Sequence, residues 1–324
     1  MDLLNKFAGK KVLVVGDIML DRYWWGDVSR ISPEAPVPIV RLRETSLAAG
    51  GAANVAVNVA GLGATPLLFG VVGNDAEAEL VRKVLYGLGV STEHIIGSDD
   101  RPTTVKTRVI AHSQQVTRID HETDEGLSAE TASLLAKSIA ERVADVDAVI
   151  ISDYAKGLLT DGVLSGVISN CADAGKPVLA DPKGKDYTKY RGATIITPNR
   201  REAAEACNFH ESGAGVVESA GAKLMADLDL NAVLITQGEE GMTLFRKATE
   251  PVSFATAARD VYDVTGAGDT VIATLATAVA AGADLETATK LANIAAGIVV
   301  EQVGTTAIDL AELHRAVQAA AASN

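Results

Sequence analysis

Short runs rich in Val, Leu and Ile alternate with segments of helical spacing along almost the whole chain. The first run, KVLVVGDI (11–18), is continuously apolar rather than alternating, which predicts a strand buried on both faces. A helix opened by Gly50 and Gly51 (GGAANVAVNVAGLG), a strand over 65–73 and a helix near 75–88 follow. Further strands are predicted over 146–153, 177–181, 193–198 and 231–236, the last leading into the turn QGEEG. Two apolar helices over about 267–281 and 285–302, and a short one near 309–321, complete the pattern. Strands separated by helices pair in parallel, and such sheets bind ligands at the C-terminal ends of their strands.

Two stretches break this rhythm. Residues 23–48 carry Trp24, Trp25, three prolines and the alternating run VPIVRLRE, and residues 93–120 alternate again in TTVKTRVIAH and QQVTRIDHE. Both predict strands outside the main sheet. With no internal repeat and no linker, the expected architecture is one α/β domain over 1–324 whose β-rich lid draws on about 22–48 and 93–121.

Composition removes several function classes. A formal net charge of −13 leaves no basic field to gather nucleic acid or anionic lipid. Cys171 and Cys207 are too few for a disulfide framework or a cysteine zinc site, and the five histidines are scattered. The N-terminal apolar run ends at Asp17, unlike a signal peptide, and the longest apolar stretch, Thr270–Ala283, falls short of the ~18 residues that span a bilayer. A cytoplasmic protein without membrane or nucleic-acid partners is expected.

The sharpest chemical signal is DVTGAGDT (263–270), directly before a long apolar helix. Glycines at 266 and 268 let the backbone approach a ligand, and a helix start leaves N–H groups unpaired. Together they form an anion cradle suited to a phosphoryl group, with Asp269 on the first turn beside it. The alternative is a tight turn followed by an acidic residue favoured by the helix dipole. No G-x-x-x-x-G-K-[ST] and no G-x-G-x-x-G occurs anywhere in the chain.

Asp263-Val-Thr-Gly-Ala-Gly-Asp269 resembles the C-terminal signature of the ribokinase (PfkB) carbohydrate kinases, and Gly50-Gly51-Ala-Ala-Asn54 their N-terminal signature. Between them, Asn199-Arg-Arg-Glu202 resembles the family's Asn-x-x-Glu motif and Thr236-Gln-Gly238-Glu-Glu-Gly241 its nucleotide turn. The resemblance implies a mostly parallel central sheet flanked by helices, with a small β-sheet lid over a sugar. It further implies Asp269 as general base, with Gly266, Ala267 and Gly268 as the anion hole. Asn199 and Glu202 would hold Mg²⁺ through water beside ATP. Thr236, Gly238 and Asn293 would line the nucleotide site, and Lys183 would reach its phosphates. Gly50, Gly51, Asn54 and Asp21 would meet sugar hydroxyls, with Asp17 either joining them or capping a turn. Asp263, Thr265 and the loop Glu301–Gly304 match places where some relatives hold a monovalent cation such as K⁺. Relatives also dimerise through the lid, so a homodimer is expected.

A narrower resemblance rests on Asp21-Arg22-Tyr23-Trp24, the run 30–38 (RISPEAPVP), Ser152-Asp153-Tyr154-Ala-Lys156-Gly157 and Asp181-Pro182-Lys183-Gly184. These are similar to the bacterial D-glycero-D-manno-heptose 7-phosphate kinases, which phosphorylate the anomeric hydroxyl on the way to ADP-heptose and lipopolysaccharide. Asp153 is placed with the sugar by that likeness. A phosphorylated acceptor needs cations at its far end, and Lys106, Arg108, Arg118 and Lys156 are candidates; solvated strand faces are the alternative. The nucleotidyltransferase fused to many such kinases has no matching HxGH-like motif before Asn324, so its activity is not expected here. Rival readings are a kinase of the same family for another sugar, sugar phosphate or nucleoside, and a non-catalytic sugar- or nucleotide-binding regulator.

Overall fold

A computed structural model describes residues 2–112, 114–258, 261–302, 304 and 306–322. The chain begins α1 (Asp2–Asn5), β1 (Lys11–Gly16), β2 (Ile18–Ile31), β3 (Pro38–Gly51), α2 (Ala52–Gly61), β4 (Thr65–Gly73), α3 (Ala76–Gly87) and β5 (Ile95–Ser98). It continues with β6 (Thr104–Ala111), β7 (Gln114–His121), α4 (Ala129–Ala140), β8 (Ala148–Ser152), α5 (Asp161–Asp173), β9 (Val178–Asp181) and β10 (Ile195–Ile196). Then come α6 (Arg200–Ala206), α7 (Val216–Asp227), β11 (Ala232–Thr236), β12 (Met242–Arg246), β13 (Val252–Phe254), α8 (Ala267–Ala280), α9 (Leu285–Val300) and α10 (Leu310–Ala322).

Nine strands form the larger sheet in the order β13-β12-β11-β10-β9-β8-β1-β4-β5. From β11 to β5 all neighbours are parallel; β12 and β13 are added antiparallel at one edge. Alternate residues of each buried strand feed two cores. Val12, Val14, Ile150 and Leu234 pack under α2, α8 and α9, while Leu13, Val15, Val149, Ile151 and Val233 pack under α4, α5 and α7. This is the α/β architecture with helices on both faces that the alternation predicts. After β1 the chain builds β4 and β5 on one side, then returns to lay β8 to β11 on the other. The crevice between the C-terminal ends of β1 and β8 is therefore a topological switch point, the usual ligand position in such sheets.

The smaller sheet has the order β3-β2-β6-β7. β2 and β6 pair in parallel, joining two excursions distant in sequence. Three boundaries differ from expectation. Gly50 and Gly51 end strand β3 rather than opening the helix, which starts at Ala52; at φ 57° Gly51 makes the turn between them. Residues 95–98 pair with β4 in the large sheet, so the second excursion begins only at Thr104. β1 stops at Gly16, and Asp17 alone separates it from β2.

Candidate active site

Asp269 stands on the first turn of α8. Gly266 precedes that turn in a left-handed conformation, φ 81°, and no side chain caps the helix. A Cβ added to Gly268 would meet nothing within 4 Å, so the first turn opens onto free space. Exposed helix amides, a positive dipole end and room for a ligand are the physical ingredients of an anion cradle.

The Asp269 carboxylate is 4% exposed and held at both oxygens. Asn54 Nδ2 donates to Oδ2 at 2.7 Å, and the Tyr154 hydroxyl donates to Oδ1 at 2.7 Å. Behind Asn54, Asn58 Nδ2 donates to Asn54 Oδ1 at 3.3 Å, while Asn58 Oδ1 accepts from Thr270 Oγ1 at 2.9 Å and Ile308 N at 3.1 Å. This chain of amides orients Asn54 with its NH₂ toward the acid. Burial pushes the Asp269 carboxyl up to about 6, with the charge of Asp21 adding to it and the two hydrogen bonds opposing. A carboxylate so poised is a serviceable proton acceptor near neutral pH.

Three more carboxylates line this half of the crevice. Asp17 Oδ2 accepts the amides of Tyr154 (2.9 Å) and Lys156 (3.2 Å), so it caps the turn after β8. Asp153 accepts from Ala155 N, Lys189 Nζ and the Tyr190 hydroxyl, which fastens the other side of that turn. Asp21, raised by burial, is paired with Arg108. A Cβ on Gly50 would come 2.7 Å from Asp21 Oδ2, and one on Gly51 2.3 Å from the Asp17 carbonyl oxygen. Gly50 thus makes room for the Asp21 carboxylate, and Gly51 for the backbone of Asp17.

Register places Asp21, Tyr23, Lys106, Arg108, Arg118 and Asp120 on one face of the small sheet. There the cations are paired: Arg108 with Asp21 and over the Tyr23 ring, Arg118 with Asp120, and Lys106 with Asp120 and Glu122. Lys156 reaches the same Glu122 from the turn after β8, at 2.6 Å. Arg22 points away and bonds Glu77 of α3.

On the other side of α8 lies a cavity of about 380 Å³, mostly apolar, whose walls include Thr236, Gly238, Met242, Val271, Asn293 and Val300. Ala267 and Gly268 also line it, so it shares a wall with the helix mouth that carries Asp269. Asn293 Nδ2 donates to the Ala255 carbonyl at 2.7 Å. Asn199 and Glu202 form a capping box at the start of α6, and Glu202 Oε1 accepts from Lys183 Nζ at 2.6 Å.

The pfkB family carbohydrate kinase profile matches residues 9–312. This chain belongs to the pfkB family of carbohydrate kinases. It is 49% identical over 308 residues to "Bifunctional protein HldE" of Methylobacillus flagellatus, covering 95% of this chain and 63% of that protein. Against the protein of the same name from Desulfatibacillum aliphaticivorans it is 46% identical over 315 residues, covering 97% and 64%. The chain thus spans a little under two thirds of the length of these relatives. Among solved structures, Arabidopsis thaliana ribokinase complexed with ribose and ATP matches with a TM-score of 0.76 at 23% identity, covering 96% of this chain and 99% of that one. Phosphofructokinase-2 from Escherichia coli in complex with potassium matches with a TM-score of 0.79 at 16% identity, covering 96% and 99%. These two share the fold.

As a pfkB carbohydrate kinase the protein is a phosphotransferase with an alcohol acceptor. Mg²⁺ suits the groups near Lys183. Asn199, Glu202 and the neighbouring Asp181 offer only hard oxygen donors, and no three carboxylates converge into a cage among the described residues. Mg²⁺ keeps most of its waters and needs no cage. Burial drives the Asp181 carboxyl well above the usual range, with the charges of Glu202 and Asp269 adding to it, so a cation beside it would be stabilising. Asp263, in contrast, has both oxygens on backbone amides, those of Thr265 and Gly304, and braces its turn. Val303 of the neighbouring loop lies outside the described residues.

Tyr154 and Asp181 entered the sequence reading only as members of motifs, with no role assigned, and Asn58 had none either. An asparagine four residues after Asn54 on a helix is a readable signal for a relay. A tyrosine at the end of a strand is not, since only tertiary packing aims its hydroxyl.

Proposed function

We propose that the protein transfers the γ-phosphoryl group of ATP to the anomeric 1-hydroxyl of D-glycero-D-manno-heptose 7-phosphate, supplying the 1,7-bisphosphate for ADP-heptose and lipopolysaccharide synthesis in the cytoplasm. The observation that carries the kinase chemistry is the buried, doubly held Asp269 on the open first turn of α8. The acceptor hydroxyl gives its proton to Asp269, its oxygen bonds the γ-phosphorus, and the bond to the β-phosphate oxygen breaks to release ADP. The amides of the 266–268 turn face the transferring oxygens, where preorganised donors lower the barrier most. Bound Mg²⁺, held through water by Asn199 and Glu202, would neutralise phosphate charge. Thr236, Gly238 and Asn293 line the pocket that would take the nucleoside, with Lys183 near its phosphates.

Support for a phosphorylated acceptor comes from the cations on the acceptor side, Lys106, Arg108, Arg118 and Lys156. Asp21, Asn54, Gly50 and Gly51 would surround the sugar hydroxyls, with Asp17 and Asp153 holding the turn beneath. Coupled ADP detection with heptose 7-phosphate, fructose 6-phosphate and ribose tests the substrate. Heptose 7-phosphate should be turned over fastest, and faster turnover of either other sugar overturns the narrower reading. We also read the small sheet, which exposes Ile31, Val37, Leu42 and Ile119, as the face that joins two copies; a monomer mass by light scattering would reject this.

A further inference from the structure

The turn from Asp153 to Gly157 is fastened more heavily than a strand-to-helix connection requires. Asp17 Oδ2 takes two of its amides, Asp153 Oδ1 takes the Ala155 amide at 2.7 Å, and the Arg101 guanidinium donates to the Lys156 carbonyl. Ala155 adopts φ 55°, a conformation that residues with a side chain rarely take, and a Cβ on Gly157 would come 1.9 Å from the Glu125 carbonyl oxygen. Strain held by several bonds marks a segment whose position matters. What this turn delivers is the Tyr154 hydroxyl, 2.7 Å from Asp269 Oδ1.

The two donors on Asp269 come from different elements, Asn54 from α2 and Tyr154 from the turn after β8. One hydrogen bond leaves a carboxylate free to rotate about its Cβ–Cγ bond; two opposed ones fix its plane. Each also favours the ionised form, since a donor interacts more strongly with a carboxylate than with a carboxylic acid. The charge facing this group acts the other way: Asp21 from β2 disfavours a further anion, with Arg108 of β6 partly offsetting Asp21, while Asp181 at the end of β9 is itself driven well above the usual carboxyl range by burial and by the charges of Glu202 and Asp269. Burial and the charge of Asp269 keep the Tyr154 phenol protonated far above its ordinary range, so it remains a donor at any working pH.

We propose that Tyr154 is a positioning residue for the proton acceptor: its hydroxyl sets the plane of the Asp269 carboxylate and favours its ionised form, and the Asp17-capped turn sets where that hydroxyl stands. The inference rests on reading Asp269 as the base. It adds a role for Asp17 that needs no contact with the sugar.

The test compares wild type with Tyr154→Phe by two readouts: the pH profile of kcat/KM for the best acceptor of the panel, and the ¹³C titration of the Asp269 carboxyl in the substrate-free protein, assigned by its loss in Asp269→Asn. Removing the donor should move both midpoints upward by about one pH unit. The activity deficit should then approach about tenfold below pH 5.5 and shrink above pH 8. A structural role alone would lower activity equally across the range. Should Tyr154→Phe not fold, as judged by loss of ADP binding, 3-fluorotyrosine at position 154, a stronger donor of nearly the same shape, should move the carboxyl midpoint downward. A midpoint that does not move overturns the role of Tyr154. Retained turnover in Asp269→Asn overturns the base assignment instead, so the two failures are distinguishable.

Discussion

The two halves of the crevice on either side of α8 are built on opposite plans. On the acceptor side Asp17, Asp21, Asn54, Asn58, Asp153 and Asp269 are all buried, and each is hydrogen-bonded to a neighbour at a defined atom. On the other side, where we propose the nucleotide binds, the wall is mostly apolar side chain and glycine backbone, with few directed polar groups. Under the proposed function, the difference follows from what each half would have to recognise. A sugar hydroxyl offers little apolar area and must be placed to within a fraction of an ångström for in-line attack, so preformed polar partners are worth their desolvation. A flat purine can be held by area alone, and a loose fit costs nothing at the reacting atoms.

This contrast breaks first if Asp269→Asn leaves turnover near wild type. The expected loss is ~10²–10⁴ in kcat, the range for a missing general base, with calorimetric ADP affinity unchanged because the nucleotide wall is untouched. The next test uses glycines. Gly51→Ala forces a left-handed residue against the Asp17 carbonyl oxygen and should destabilise the fold by about 2–4 kcal/mol in urea unfolding. Gly268→Ala meets nothing, so its melting temperature should hold or rise, by about 0.5–1 kcal/mol of helix propensity, while turnover falls because the methyl enters the phosphoryl space. Equal stability losses at both positions would erase the distinction between a packed and an open half.

A third test reads the cost of the dry half directly. Asp269 titrates near 6 in the folded protein against an ordinary value of 3.8, so the folded state binds that proton more tightly than the unfolded chain does. Its stabilising effect is complete below about pH 4 and is lost as pH rises through about 6, leaving a penalty of up to about 3 kcal/mol for the buried anion. Asp269→Asn should therefore melt higher than wild type at pH 7–8, with the advantage fading toward pH 4. A pH-independent difference would mean the carboxylate is better hydrated than its burial indicates. The smallest effect is expected from Asn293→Ala, which removes one bond to the Ala255 carbonyl. The KM for ATP should rise about three- to tenfold, and that for the acceptor should not change.

Legibility in the sequence followed the same division. The cradle at 266–269 was readable because glycines, an acid and an apolar helix are adjacent, and local adjacency survives folding. Thr236, Gly238 and Asn293, far apart in sequence, line one cavity; that this cavity takes the nucleotide is the proposal made above. The lid cations could be named as a set, but not their pairing, because Glu122 draws Lys106 and Lys156 together from segments 50 residues apart in number. Gly50 and Gly51 were read as a helix start because glycines beside an alanine-rich run look the same at either side of a boundary. β12 and β13 were not anticipated at all: their pairing depends on an exposed sheet edge that no local pattern announces.

The parallel pairing of β2 with β6 has a further effect. Each excursion pairs within itself only as a two-stranded hairpin, β2 with β3 and β6 with β7, so the four-stranded sheet exists only where β2 meets β6; Asp17 is the sole residue between β2 and strand β1 of the large sheet. Assembly of the complete small sheet must therefore wait until two sequence-distant segments have met, which places it late in folding. The same stitching means that backbone amides of 18–31 and 104–111 should open to deuterium together, as one cooperative unit.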